Sequence, residues 1–336
     1  MRVKLKDVCV KATSNLKQSD VLSEGGEYPV YGATGYLGNI DSYHQDKTYI
    51  AVVKDGAGIG RTTILPPKSS VIGTMQYLIP KENVMPEYLY YVVKHMRLQK
   101  YYTGATIPHI YFKDYQNEEF NLANSIKQRE IVKVLKTVED TIRYQEIEIN
   151  KFDELIKARF IEMFYHKGYT VLEWNDVFYT RTGKLDSNAS IVNGKYPFFT
   201  CSKEILYIDD FAFDQEALLL AGNNAAGKYD VKYYKGKFNA YQRTYILTLR
   251  GNWSYQLFRY QLENKLEYLR QQSLGGLTKY LTMKILGELS FIIPPIEKQL
   301  EFEDFVRQVD KSREEVKKSL EKTQQLYDSL MQEYFG

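Results

Sequence analysis

The sequence predicts an α+β protein in which two domains of mixed strands and helices sit at opposite ends of a long antiparallel two-helix coiled coil. Three observations predict it. The first is an internal repeat. Gly26-Glu27-Tyr28-Pro29 returns as Gly194-Lys195-Tyr196-Pro197, and Thr74-Met75-Gln76-Tyr77-Leu78-Ile79 as Gln242-Arg243-Thr244-Tyr245-Ile246-Leu247, both at an offset of 168. Lys127-Gln128-Arg129-Glu130 returns as Lys298-Gln299-Leu300-Glu301 at an offset of 171, and Met163-Phe164 falls on Tyr334-Phe335 without a further gap. The second is that each repeat ends in a heptad-patterned run free of Pro and Gly. The third is that the part before each run mixes short strands with one helix, without regular βαβ alternation.

The elements follow in chain order. Residues 48–53 and 71–79 are β-branched and aromatic, bounded by turn residues, and read as strands. Pro86 opens a helix through residue 101, since Pro is tolerated in a first turn. The second copy repeats this with strands at 217–221 and 241–249 and a helix at 255–271. In the first tail, Ile131, Leu135, Val138, Ile142, Gln145, Ile149, Phe152 and Ile156 alternate at spacings of four and three, a coiled-coil seam with one polar position. The second tail gives Phe302, Val306, Val309, Arg313, Val316, Leu320, Thr323, Tyr327 and Leu330. Neither helix can bury such a seam alone, so each is expected to cover the other. The predicted boundaries are 1–124, 125–166, 167–295 and 296–336.

A length of 336 residues accommodates two domains with cores of their own. Apolar runs such as Ala217-Leu218-Leu219-Leu220-Ala221 are too short to span a bilayer. The opening Met1-Arg2-Val3-Lys4-Leu5-Lys6-Asp7 lacks the apolar stretch of a signal peptide. Cys9 and Cys201 occupy non-equivalent places and form no metal or disulfide framework. A cytoplasmic protein with no membrane partner is expected. Lys and Arg outnumber Asp and Glu by 14 to 12 in residues 1–124 and by 16 to 12 in residues 167–295, but not in the tails. Excess positive charge on the two globular parts, together with 30 tyrosines, suits a surface that meets phosphates and bases.

Motifs for catalysis fail one by one. Gly222-Asn223-Asn224-Ala225-Ala226-Gly227-Lys228 matches seven positions of a phosphate-binding loop, then places Tyr229 where a hydroxyl should hold magnesium. Residues 55–62 of the first copy have the hydroxyl but lack the first Gly and the Lys. A tight turn between strands fits both better, bringing Arg61 or Lys228 to one place. Pro294-Pro295 is flanked by Ile293 and Ile296, which is not the motif of a DNA methyltransferase. His44, His95, His109 and His166 are scattered, and Asp209-Asp210 and Glu118-Glu119 are unmatched between repeats. A small, hydroxylated segment after each short helix (102–110 and 272–281) would let a backbone approach a ligand.

Taken together, the chain resembles the specificity subunit of type I restriction–modification systems over its full length. The residues that carry the resemblance are Tyr28-Pro29 and Tyr196-Pro197, the glycine turn 55–61 with its partner 223–228, and the segment 103–110 with its partner 273–281. Phe291-Ile292-Ile293-Pro294-Pro295-Ile296-Glu297-Lys298-Gln299 is similar to the family's strand, Pro-Pro and helix entry. The first copy departs from this, with Ala123-Asn124-Ser125 in place of the Pro pair.

The resemblance implies a non-catalytic DNA-binding subunit with two target recognition domains that reads an asymmetric bipartite site. It implies no cofactor of its own, S-adenosylmethionine being bound by the partner methyltransferase. The implied partners are double-stranded DNA, two modification subunits docked along the helices, and restriction/translocase subunits. Loop position and chemistry make Lys54, Asp55, Arg61, Thr106, His109 and Lys113 the DNA-binding candidates of the first domain. Those of the second are Asn223, Asn224, Lys228, Arg243, Thr278, Lys279 and Lys284. A scaffold with two protein-binding domains on a coiled-coil spacer is the alternative. If the helices set the untouched spacer of a bipartite site, deleting one heptad from each is expected to change the spacer and spare both half-sites. Sequencing of the methylated motif measures this, and an unchanged spacer contradicts it.

Overall fold

The computed structural model describes residues 1–21, 25–104, 108–165, 167–225 and 227–336. The chain divides into two units, one of Met1–Glu148 with Val316–Gly336 and one of Ile149–Glu315. In chain order the first unit has β1 (Arg2–Lys4), α1 (Leu5–Val8), β2 (Cys9–Thr13), β3 (Tyr28–Gly32), β4 (Gly35–Ile40), β5 (Tyr49–Val53) and β6 (Thr62–Leu65). There follow β7 (Ser70–Val71), β8 (Met75–Pro80), α2 (Pro86–His95), α3 (Phe112–Tyr115), β9 (Glu119–Asn121) and the long α4 (Ser125–Phe164). The second unit has β10 (Thr170–Glu173), α5 (Trp174–Val177), β11 (Phe178–Thr182), β12 (Tyr196–Phe199), β13 (Leu206–Ile208), β14 (Phe213–Ala221), β15 (Asn223–Ala225), β16 (Val231–Ala240) and β17 (Thr244–Leu249). Then come α6 (Tyr255–Glu263), α7 (Leu266–Gln272), β18 (Thr278–Tyr280), α8 (Met283–Gly287), β19 (Ser290–Ile293) and the long α9 (Ile296–Phe335).

The central sheet of the first unit has the order β2-β8-β5-β6. Every residue of β5 is buried, because both faces of the sheet are covered. Ile50, Val52 and Leu78 pack with Leu89, Val92 and Val93 of α2 on one face. Tyr49, Ala51, Val53 and Tyr77 pack on the other. The second unit is built alike, with Leu218, Leu220 and Leu247 on one face and Ala217, Leu219 and Ile246 on the other.

The two sheets differ for a local reason. In the second unit β16 runs unbroken from β14 to β12, giving six strands in the order β11-β17-β14-β16-β12-β13. In the first, Pro66 and Pro67 separate β6 from β7 and Lys68 takes φ 54°. Prolines donate no ladder hydrogen bond, so β4-β3-β7 becomes a separate three-stranded sheet.

Some sequence expectations shift. The strand expected at 71–79 is two strands with a turn at Ile72, Gly73 and Thr74, and that expected at 241–249 begins at Thr244. The helix expected at 86–101 ends at His95, because Arg97 is left-handed at φ 50°, and Leu98–Tyr101 continues as a 3-10 turn. The helix expected at 255–271 breaks after Glu263 and restarts at Leu266. The match of Tyr77 with Tyr245 is also off by one. Thr13 and Val52 flank Gln76, whereas Thr182 and Leu220 flank Tyr245. Tyr245 therefore stands where Gln76 stands, and a slip of one residue moves a strand side chain to the opposite face.

The long helices pair within each unit, the first part of α4 with the last part of α9 and the reverse, which makes each pairing antiparallel. In the first unit Ile131 and Leu135 are buried, and Val138, Ile142, Tyr327 and Leu330 pack in the same cluster. In the second, Ile156, Phe302 and Val309 are buried, with Phe152 and Val306 against them. Ile149, Val316 and Leu320 are half-buried between exposed neighbours. Two polar seam positions are partnered in part: Gln145 Nε2 donates to Ser319 Oγ at 2.8 Å, and the Arg313 guanidinium pairs with Asp153 at 2.5 Å, while Gln145 Oε1 and Arg313 Nε are buried without a hydrogen bond among the described residues. Each buried Leu or Ile of the seam contributes about 2 kcal/mol relative to exposure.

A repeated glutamine ties each long helix to its own unit. Gln128 and Gln299 are both 1% exposed. Gln128 Oε1 accepts from Met85 N at 2.8 Å at the start of α2, and its Nε2 donates to the carbonyls of Ala123 and Asn83. Gln299 Oε1 accepts from Ser254 N at 3.0 Å at the start of α6, and its Nε2 donates to Pro294 O at 2.7 Å. This is the Lys-Gln signature of the repeat. Where the first copy lacks the Pro pair, Asn124 caps α4, its Oδ1 accepting from Lys127 N at 2.9 Å.

Glu139 on α4 joins α2 and α9 in the first unit. Its carboxylate accepts from Lys94 Nζ at 2.6 Å, Tyr91 at 2.8 Å and Tyr327 at 2.9 Å. Burial alone would raise its pKa, but the bonds from Lys94, Tyr91 and Tyr327 hold it below the usual glutamate value. A depressed carboxylate contributes stability that is present above its unfolded pKa and lost as pH falls through the folded one. Glu139→Gln is therefore expected to destabilise by about 2 kcal/mol at neutral pH, with the gap to wild type closing as pH falls below about 4. Thermal melts across pH 3–8 measure it; a gap that widens in acid contradicts it.

Candidate nucleic-acid interface

Two segments that are far apart in sequence meet in each unit. In the second, the tight turn that begins at Gly222 supplies β15, and the small-residue segment supplies β18. They pair antiparallel as Asn223 with Tyr280, Asn224 with Lys279 and Ala225 with Thr278. Gly222 is the pivot: its N–H donates to Arg243 O and its carbonyl accepts from Leu281 N, both at 2.8 Å. An added Cβ there would lie 2.4 Å from Arg243 O, so only glycine fits. Asn224 Oδ1 accepts from Lys228 N at 3.1 Å, and the chain then enters strand β16. The motif thus lies between strands β15 and β16, and among the described residues no helix N-terminus stands where a nucleotide phosphate would need one.

In the first unit the same two segments join by one bridge, between Asp55 and His109, and by Gly56 N, which donates to Pro108 O at 2.9 Å; a second bridge, Thr103 to His109, lies within the small-residue segment. Gly60 takes φ +77°, and a Cβ there would lie 2.6 Å from Gln99 N, which seats the turn on the 3-10 segment after α2.

The side chains differ between the two. Lys54 Nζ pairs with Asp55 at 3.0 Å, and His109 Nδ1 donates to Asp55 Oδ1 at 2.7 Å. Burial would raise the Asp55 pKa, but the bonds from His109 and Lys54 outweigh it and hold the carboxyl low. Arg61 donates to Ala33 O at 2.9 Å, away from this trio. Lys113 lies over the ring of Tyr111, 5.4 Å from its centroid. Thr106 lies outside the described residues. In the second unit, Lys228, Arg243, Thr278 and Lys284 are exposed and Lys279 is half-buried. None of Lys228, Arg243, Lys279 and Lys284 belongs to an ion pair among the described residues. The turn and β18 bring Asn223, Asn224, Lys228, Thr278 and Lys279 together. Arg243 joins them through Gly222, and Lys284 stands apart on α8.

Ammonium and guanidinium groups outside ion pairs, beside side-chain amides, are suited to phosphates and base edges. Sequence reasoning missed Tyr111, whose half-exposed ring supports Lys113 and stacks 6.4 Å from His109; its signal in the sequence is its place directly after the small, hydroxylated run. It also missed Lys11, Gln76 and Arg270, which only the sheet register and the turn bring near. Among the described residues no cluster of His, Cys, Asp and Glu could hold a metal, and no helix is long and apolar enough to cross a membrane.

This duplicated arrangement agrees with comparison to known proteins. The chain belongs to the family of the type I restriction modification DNA specificity domain, whose model matches twice, at residues 1–152 and 166–325. Among curated relatives it is similar to the type I restriction enzyme EcoDI specificity subunit of Escherichia coli, at 34% identity over 134 residues. That match covers 39% of this chain and 29% of the relative, so the chain aligns to less than a third of its length. Among solved structures it resembles the type I restriction–modification S subunit from M. genitalium, with TM-score 0.68 and 16% identity over 100% of this chain and 96% of that one. A second structure, solved to describe complex assembly and conformational transition of a type I system, gives TM-score 0.58 and 14% identity over 99% and 97%. These structures share the α+β fold with two β-sheet domains and packed long helices.

Proposed function

We propose that this chain is the DNA-reading, non-catalytic subunit of a type I restriction–modification complex. The observation that carries the proposal is that both units bring a glycine turn against a small-residue segment by antiparallel pairing, three residues long in the second and a single bridge in the first, while carrying different polar side chains there. In this reading residues 1–124 and 167–295 are the two recognition domains, and 125–166 and 296–336 the spacer helices. Lys54, Arg61, Lys113, Lys228, Arg243, Lys279 and Lys284 position the duplex by its phosphates. Asp55, His109, Asn223, Asn224 and Thr278, with Thr106, read base edges. Two modification subunits carry S-adenosylmethionine and transfer the methyl group, restriction/translocase subunits join them, and the assembly works in the cytoplasm. Titration of the purified chain with duplex DNA at several salt concentrations tests this. Binding should weaken steeply with salt, and no methyl transfer should occur without the modification subunit. Salt-independent binding, or methylation by the chain alone, contradicts it.

A further inference from the structure

One open feature of the first unit is lined by residues that the second unit replaces. A cleft of about 360 Å³ lies between β2, Lys54 and the start of α3. Its lining includes Lys11, Thr13, Lys54, Tyr111, Lys113 and Gln116, and no carboxylate among the described residues. Gln76 also lines it, yet the residue is only 1% exposed, and its buried Nε2 has no hydrogen-bond partner among the described residues. Buried amides in native proteins are nearly always bonded, so an unpartnered one at a cleft needs a reason.

The second unit shows that the fold does not require this opening. Tyr245 occupies the register position of Gln76 and donates its hydroxyl to Leu281 O at 3.0 Å. Gly222 stands in place of Lys54: Leu281 N bonds to Gly222 O there, as Ile110 N bonds to Lys54 O here. Thr180 stands in place of Lys11, pairing with Leu247 as Lys11 pairs with Leu78. Only Lys113 keeps a basic counterpart, Lys284, the second residue of the equivalent short helix. Lys11 and Lys113 have no ion-pair partner among the described residues, whereas Lys54 shares Asp55 with His109.

Three ammonium groups, two hydroxyls and an amide donor with no acidic lining select a ligand that is anionic and rich in acceptors. Lysine serves phosphate as a point charge. Base edges, which mix donors and acceptors, fit less well. We propose that this cleft is a phosphate-binding subsite, in which the Gln76 amide and the ammonium groups of Lys11, Lys54 and Lys113 hold one phosphodiester group of bound DNA. The proposal rests on the DNA-reading function above, and gives the first domain a backbone contact that the second lacks.

The test compares the full chain with its Gln76→Leu and Lys11→Ala variants on a duplex carrying the motif methylated in vivo and on an unrelated duplex. Lys11→Ala, at an exposed position, should reduce the slope of log K against log salt by about 1. Gln76→Leu should weaken binding about five- to tenfold, equally on both duplexes, without lowering Tm. Unchanged affinity in both variants overturns the proposal, as does a loss confined to the motif duplex, which would mean that the cleft reads bases. A Tm several degrees lower in Gln76→Leu also overturns it, since the amide would then serve the fold. Inorganic phosphate, read by thermal shift, separates the two levels. If wild type binds no DNA but phosphate raises its Tm and not that of Gln76→Leu, the DNA-reading function fails and the cleft is a site for free phosphate.

Discussion

Replacing Lys228 and Lys279 together by glutamate is expected to weaken DNA binding by about 10²–10³-fold and to reduce the salt slope by about 2. Both residues belong to the joined turn and β18 of the second unit, and neither is in an ion pair among the described residues, so reversal removes no internal partner. Lys228 is exposed, and its backbone N–H, not its ammonium, is held by Asn224. Tm should therefore stay within a degree or two of wild type, which separates lost contact from lost fold. Titration against duplex DNA at several salt concentrations measures the effect. If affinity and slope are unchanged, this face does not meet DNA.

The largest effect on stability is expected from Gln299→Leu. The substitution leaves two buried backbone groups without partners, the N–H of Ser254 and the carbonyl of Pro294. Each unsatisfied group is worth about 1–3 kcal/mol, so a loss of about 3–5 kcal/mol is expected, a large share of the stability of a domain. For a unit of this size that lowers Tm by about 5–15 °C. Gln308→Leu, on the exposed side of the same helix, should leave Tm nearly unchanged. Equal melting of the two variants would show that the buried amide does not anchor α9.

The sequence made the frame legible where the physics is periodic. The seam from Ile131 to Ile156 and from Phe302 to Leu330 follows directly from apolar spacing, because a helix face must be covered. The Lys-Gln repeat was visible as a signature, but its role was not, since it depends on Met85 and Ser254, which are distant in sequence. Register was harder still. Identity aligned Tyr77 with Tyr245, yet the sheet places them on opposite faces, and only strand pairing distinguishes the two. The same limit hid the site's make-up. Residues 55–61 read as a tight turn and 103–110 as a small, hydroxylated segment, but that Asp55 bonds His109, or that Asn224 faces Lys279, is a fact of long-range pairing that no local pattern carries. Breaks such as that at Arg97 were missed because a left-handed arginine has no composition signal.

The central claim is that one chain carries two readers, each responsible for one half of a split site. It is tested most directly by exchanging residues 1–124 for those of a relative with a different target, expressing the hybrid with its modification partner and sequencing the methylated DNA. The expected result is a split adenine-methylated motif in which one half changes and the other half and the spacer stay as in wild type. A change in both halves, or no change in either, would contradict it.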